Sequence, residues 1–122
     1  MNKINFGQKL MSFNGEPLRE NDVVNLAKEG DDTYRQIVVK GKEMTLGSVC
    51  QDALNRRYPD DKPIPETFID RYLLAKQIQQ SGDEGLELES KQIVQIRELL
   101  AKTPYTSVVI GQTCQLLEGK DA

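Results

Sequence analysis

The chain contains no histidine and no tryptophan in its 122 residues, and only two cysteines. Without an imidazole there is no Ser-His or Cys-His pair to generate a nucleophile, and the zinc geometries that use histidine are closed. Cys50 and Cys114 form no CxxC spacing, and each falls within an apolar helical pattern. Two buried, reduced thiols are expected, because a free cysteine packs as a small hydrophobe. A disulfide between them needs α-carbons within ~7 Å, and the sequence leaves that open. Neither a GxxxxGK(S/T) loop nor a GxGxxG turn is present, so nucleotide phosphates have no ready cradle. A basic excess is also missing: 16 Lys and Arg stand against 19 Asp and Glu, for a net charge of -3. Nucleic-acid binding draws most of its affinity from neutralised phosphates, so this balance argues against it. No segment approaches the ~18 consecutive apolar residues of a membrane span. Residues 1–13 carry no apolar signal-peptide core. The expected location is the cytoplasm, with signal-independent secretion or packaging inside a particle left open. No cofactor, metal site or catalytic residue is expected, and the chain is read as non-enzymatic.

What is present fits one domain. A chain of this length buries about two-thirds of its unfolded surface, enough for an ordinary core without a metal or disulfide staple. The hydrophobic fraction is 38%, too high for a wholly disordered chain. Residues 1–122 read as a single domain, with an extended, β-rich part over 1–44 and a helical part over 45–119.

In the first part, Leu10, Met11 and Phe13 run into Asn14-Gly15, a dipeptide suited to the positive φ angles of a hairpin turn. Glu16-Pro17-Leu18 would return, at an edge, because Pro17 cannot donate to a ladder. Gln36 to Lys40 is a second strand candidate, and Glu43-Met44 a return strand. Between them lies a loop near 19–33. Val23, Val24, Leu26 and Ala27 have the spacing of one or two helical turns behind Asn21 or Asp22, and Glu29-Gly30-Asp31-Asp32 reads as an exposed turn.

Four short helices follow. Thr45 is a good N-cap, and Leu46, Val49, Cys50, Ala53 and Leu54 share one face, with Tyr58 a turn later and Pro59 as the terminator. Pro65 suits the first position of the second helix, whose inner side is read as Phe68, Ile69, Tyr72, Leu73, Lys76 and Ile78, ending at Ser81-Gly82. Ile93, Ile96, Leu99 and Leu100 mark a third helix over Ser90 to Lys102, with Lys91, Arg97 and Glu98 outward. Pro104 separates it from a fourth, Tyr105 to Glu118, closed by Gly119. There Gly111 is read as a point of close helix approach. The predicted fold class is therefore α+β: an N-terminal hairpin or small antiparallel sheet followed by four helices.

Three groups of residues are weighed for function. Asp60, Asp61, Asp83 and Glu84 lie in polar loops and are expected to be solvated charges, whereas a working carboxylate pair needs burial to separate its two pKa values, and their spacing matches no EF-hand. Arg56 and Arg57 close the first helix, where cations complement the dipole. With Arg71, Lys91 or Arg97 they would form a basic patch for phosphate. Ile4, Phe6, Leu10, Met11 and Phe13 make the N-terminal stretch apolar. Two or three short strands cannot cover both their faces, so these five residues either pack on the chain's own helices or meet a partner protein. That partner is another copy or a different protein, and a homo-oligomer stays open.

The runs Phe13-Asn14-Gly15-Glu16-Pro17-Leu18, Met44-Thr45-Leu46-Gly47, Ala53-Leu54, Arg71-Tyr72-Leu73-Leu74-Ala75, Leu88-Glu89-Ser90-Lys91-Gln92-Ile93-Val94-Gln95-Ile96 and Val109-Ile110-Gly111-Gln112 together resemble small uncharacterised proteins of tailed bacteriophages and prophages. Against that pattern, Arg19 to Thr33 reads as an insertion. The shared motifs are turns, caps and core positions, so the resemblance implies no catalytic residue. It implies an accessory protein acting through protein–protein contacts, in virion assembly or as a particle component. The alternative is a small regulator of phage or host gene expression that binds nucleic acid or a host protein.

Overall fold

Thr45 starts the first helix by leaving the helical region, at φ -112° and ψ 161°. Its hydroxyl accepts from the Ser48 N–H and the Ser48 hydroxyl accepts from the Thr45 N–H, each at 3.0 Å. This reciprocal capping box satisfies two of the N–H groups that a helix start leaves unpaired. The computed structural model describes residues 3–20, 23–28, 30, 34–39 and 41–119, with the backbone alone over 23–28 and 34–39. Its four helices are α1 (Leu46–Asn55), α2 (Pro65–Ser81), α3 (Ser90–Leu100) and α4 (Ser107–Leu117). Helix α1 is the centre: it packs on α2, α3 and α4, while α3 also touches α4. Among the helices, α2 rests on α1 alone. The core joins Leu46, Val49, Cys50, Ala53 and Leu54 of α1 to Leu74, Ala75 and Ile78 of α2, Ile96, Leu99 and Leu100 of α3, and Val109 and Leu117 of α4.

Apart from one two-stranded ribbon that lies outside the helical body, the fold is all-α, which corrects the expectation of an α+β domain with an N-terminal hairpin or small sheet. Residues 3–20 hold no strand, only isolated bridges: Ile4 with Leu86, Lys9 with Thr45, Met11 with Pro17 and Arg19 with Glu43. The reason lies in where their backbone groups go. Ile4 exchanges two bonds of 2.9 Å with Leu86. Phe6 and Gln8 accept from Gly47 and Leu46 at the start of α1, at 2.7 and 2.9 Å. Leu10 donates to Met44, Met44 to Leu18, and Leu18 back to Leu10, at 3.0, 2.7 and 2.9 Å. A segment that changes partner every few residues satisfies its polar groups without ever building a ladder. Gly47 makes one of these contacts possible, since a Cβ there would sit 2.9 Å from the Phe6 carbonyl oxygen.

Val23–Lys28 and Tyr34–Val39 pair with each other antiparallel, Val23 opposite Val39 and Lys28 opposite Tyr34. The backbone of this two-stranded ribbon packs on none of the four helices. It replaces the helical turns expected at Val23 to Ala27, where adjacent β-branched residues favour extended backbone. It also gives the strand candidate at Gln36 to Lys40 a partner other than the N-terminal segment. The expectations placed on Asn21, Asp22, Glu29, Asp31, Asp32, Thr33 and Lys40 fall outside the described residues.

Two helices differ from their expected form. α1 stops at Asn55, with Arg56 already extended at φ -76° and ψ 152°, so Pro59 is not its terminator. Tyr58 leaves the helix and turns inward, its hydroxyl donating to the Ala53 carbonyl at 2.6 Å. α2 begins at Pro65 as expected, but its inner face is Arg71, Leu74, Ala75 and Ile78. Ile69, Tyr72, Leu73 and Lys76 face outward. α3 and α4 begin and end within two residues of their expected limits, and Gly119 takes the positive φ, 79°, of a helix stop. No described helix is long and apolar enough to cross a membrane.

Candidate functional site

The five N-terminal apolar residues separate into two groups. Ile4, Phe6 and Leu10 are buried in the core. Met11 is at the surface, and Phe13 is 95% exposed. The chain's own helices thus take three of the five and leave two outside. The turn that carries Phe13 is tightly made. Ser12 N–H donates to the Glu16 carbonyl at 2.7 Å, and Gly15 N–H donates to the Ser12 carbonyl at 3.0 Å. The Ser12 hydroxyl also donates to the Asn14 side-chain carbonyl. Gly15 sits at φ 86°, where a Cβ would be strained.

This turn stands over α4. Met11 N–H donates to Gln112 Oε1 and Gln112 Nε2 donates to the Met11 carbonyl, both at 2.7 Å. Between turn and helix lies a cleft of about 650 Å³. Gln8, Met11, Ser12 and Phe13 line one side; Val108, Gly111, Gln112, Gln115 and Leu116 line the other. Lys9 is its one charged wall residue, and its ammonium is held 2.6 Å from Glu43. Arg19 reaches the other oxygen of Glu43 at 3.1 Å, and the hydrogen bond from Lys9 leads in holding the Glu43 carboxyl below its ordinary range. A Cβ on Gly111 would meet nothing within 4 Å. This corrects the reading of Gly111 as a helix-approach point: it leaves the cleft floor open instead.

The expected basic patch does not gather free cations. Arg71 is buried and holds Asp61 in a two-pronged pair, Nη1 to Oδ2 at 3.0 Å and Nη2 to Oδ1 at 2.7 Å. The same Asp61 accepts from the Tyr58 N–H at 2.7 Å. These bonds, Arg71 first, pull the Asp61 carboxyl down to about 2. The Arg71 guanidinium also lies 5.6 Å from the Tyr58 ring centre, a cation–π contact. Arg56 Nε binds Asp52 Oδ2 at 2.8 Å, and Arg57 lies over the Phe68 ring at 5.1 Å. Lys91 approaches Glu89 at 3.4 Å, and Arg97 pairs with Glu118 at 2.5 Å. Each cation is thus held by its own neighbour, on three different elements.

A second cleft, about 500 Å³, lies between Leu18, Met44 and the start of α4. In it the Tyr105 hydroxyl donates to Asp52 Oδ2 at 2.6 Å, the oxygen that Arg56 also uses. Burial, then this bond to Asp52, pushes the Tyr105 phenol upward, so it stays a protonated donor. The trio is closed on itself and offers no base or nucleophile.

Of the loop acids, Asp60 takes the Lys102 ammonium at 2.7 Å, and Asp83 and Glu84 follow the C-terminal end of α2, where Asp83 lies beside Gly7. Among the described residues no three Cys, Asp or Glu side chains converge on a metal-sized space. Both cysteines are free thiols: Cys50 is buried and Cys114 half-buried. Burial, with some contribution from Cys114, drives the Cys50 thiol far above its ordinary range, so it is inert as a nucleophile.

Sequence reasoning missed Gln112, Asp52 and Tyr105. A glutamine on an apolar helix carries no periodic signal, and its partner is a backbone group a hundred residues away. Comparison with known protein families, with curated proteins and with solved structures finds no match.

Proposed function

We propose that the chain is a non-enzymatic accessory protein of a tailed-phage particle or its assembly, acting through protein–protein contacts at the Phe13 cleft. The carrying observation is Phe13 itself: a large aromatic side chain, almost wholly in water, on a turn that is locked at its base. Leaving a phenylalanine exposed forgoes about 1.5–3 kcal/mol of burial. A turn fixed by Gly15, Ser12 and the Gln112 bonds presents that ring with little ordering entropy left to lose on binding. The walls are apolar or neutral polar, amide and hydroxyl, and their one charge is already paired, so the fitting occupant is an uncharged, partly apolar segment of another particle protein. The resemblance of the chain's turn and cap motifs to tailed-phage proteins supplies the setting. The nucleic-acid alternative draws no support from Arg56, Arg57 and Arg71, which are spent on Asp52, Phe68 and Asp61.

The test is a photo-crosslinking residue at position 13, in cells that make the protein natively. Crosslinks to one structural or assembly protein are expected. Crosslinks to nucleic acid, or none above those from an exposed control position such as Glu98, would contradict the reading.

A further inference from the structure

Helix α2 is apolar on two opposite faces, and only one of them is used. Leu74, Ala75 and Ile78 face the core. Ile69, Tyr72 and Leu73, at spacings of three and four, are 51, 57 and 51% exposed. At 100° per residue, Pro65, Ile69, Tyr72, Leu73, Lys76 and Gln80 form one outward stripe. No other helix packs on it, since among the helices α2 packs on α1 alone; α3 only flanks it, its Lys91, Gln92 and Gln95 lining a groove with Leu73. The stripe is charged at its ends with opposite sign: Glu66 at the edge of its start, Lys76 toward its finish. Among the described residues, Glu66 and Lys76 enter no ion pair.

We infer that this stripe is a homodimer interface in which α2 packs antiparallel on α2 of a second copy. The register of the helix selects it. The pairs Glu66 with Lys76 and Ile69 with Leu73 share one midpoint, residue 71, and all four residues lie within about 40° of one outward direction. A single twofold axis at that height therefore satisfies both pairs together, and each occurs twice across the interface. A twofold contact must be self-complementary in this way. A parallel pair would set Glu66 on Glu66 and Lys76 on Lys76, so charge selects the antiparallel arrangement. A partner of other chemistry would need its own matching charge order, whereas a second copy already has it. The 17-residue helix is about 25 Å long, which buries less than the ~800 Å² per partner of a standard interface. The dimer is therefore weak, with a Kd on the order of 10–100 μM.

This inference concerns a different face from the Phe13 cleft and stands or falls without it. The experiment is sedimentation velocity of the full chain from about 5 μM to about 1 mM, spanning that Kd, for the wild type and four variants. All substitutions are on exposed positions, and circular dichroism checks that each variant is folded. A monomer–dimer equilibrium is expected for the wild type. Glu66→Lys and Lys76→Glu should each weaken it about three- to tenfold, and the double variant should return it to within about twofold of wild type. Leu73→Asp should abolish it. A wild-type chain that stays monomeric at ~1 mM would overturn the inference. So would a dimer that survives Leu73→Asp, or a double variant no better than the singles.

Discussion

The side-chain amide of Gln112 and the backbone of Met11 bond in both directions, each at 2.7 Å. The amide acts as one residue of a partner strand. It ties the N-terminal turn to α4 across almost the whole length of the chain. Gln112→Ala removes both bonds at a partly exposed site, and a loss of about 1 kcal/mol in a urea titration is expected. Hydrogen exchange at the Met11 amide should accelerate while exchange in α1 stays slow, because only the turn is released.

Thr113 is 0% exposed, and its hydroxyl is one of two buried side-chain polar atoms with no partner among the described residues. Valine has nearly the same shape without the desolvated oxygen. Thr113→Val should therefore stabilise the protein by about 1 kcal/mol, seen calorimetrically as a rise in Tm of about 3–5 °C.

The Asp61 pKa of about 2 makes stability fall in acid. An unfolded aspartate takes up a proton near pH 4, whereas the folded one, held by Arg71, resists until about 2. Between these values the unfolded state binds more protons, so stability drops as pH falls through that window. Asp60, lowered by Lys102, and Glu43, lowered by Lys9, act in the same direction. Asp61→Asn should lower stability at pH 7 and flatten the acid limb of a Tm-against-pH curve. With no histidine in the sequence, no side-chain type present has its ordinary pKa between about 5 and 8, and the curve should change little across that stretch.

Gly111 lies inside α4, with open cleft beside its α-carbon. Gly111→Ala should add up to about 1 kcal/mol of stability through helix propensity. The new methyl enters the floor of the cleft. Melting temperature should therefore rise while partner capture falls, a combination that simple destabilisation cannot produce.

The parts of this fold that show in the sequence are those whose cause is local. Thr45 with Ser48, Pro65, Gly82 and Gly119 mark helix ends by chemistry that acts within a turn. The periodicities of α1 and α3 place their buried faces, because each has a single apolar stripe. α2 has two stripes. Spacing alone cannot choose between Leu74-Ala75-Ile78 and Ile69-Tyr72-Leu73, and the wrong one was the more aromatic. The choice is made by Arg71 reaching Asp61 beneath Tyr58, a contact made only after α1 and α2 are packed. At the N-terminus, Asn14-Gly15 signals its turn correctly, with Gly15 at positive φ. The expected sheet fails because Ile4, Phe6, Gln8 and Leu10 find their backbone partners on Leu86, Gly47, Leu46 and Met44. Nothing in a linear pattern announces such partners. For the same reason Phe13 could be named as an interaction candidate, but not told apart from Phe6, which is buried.

The central proposal, that Phe13 and its cleft meet another protein, is tested most directly by quantitative affinity purification. Wild type and Phe13→Ser would be compared from cells that make the protein natively. Phe13 is almost fully exposed, so the substitution should change stability by no more than about 0.5 kcal/mol. The expected result is one particle or assembly protein, near stoichiometric with the wild type and depleted at least about tenfold with the variant, a loss that corresponds to a buried aromatic anchor. An identical set of copurifying proteins for both, at equal melting temperature, would contradict it.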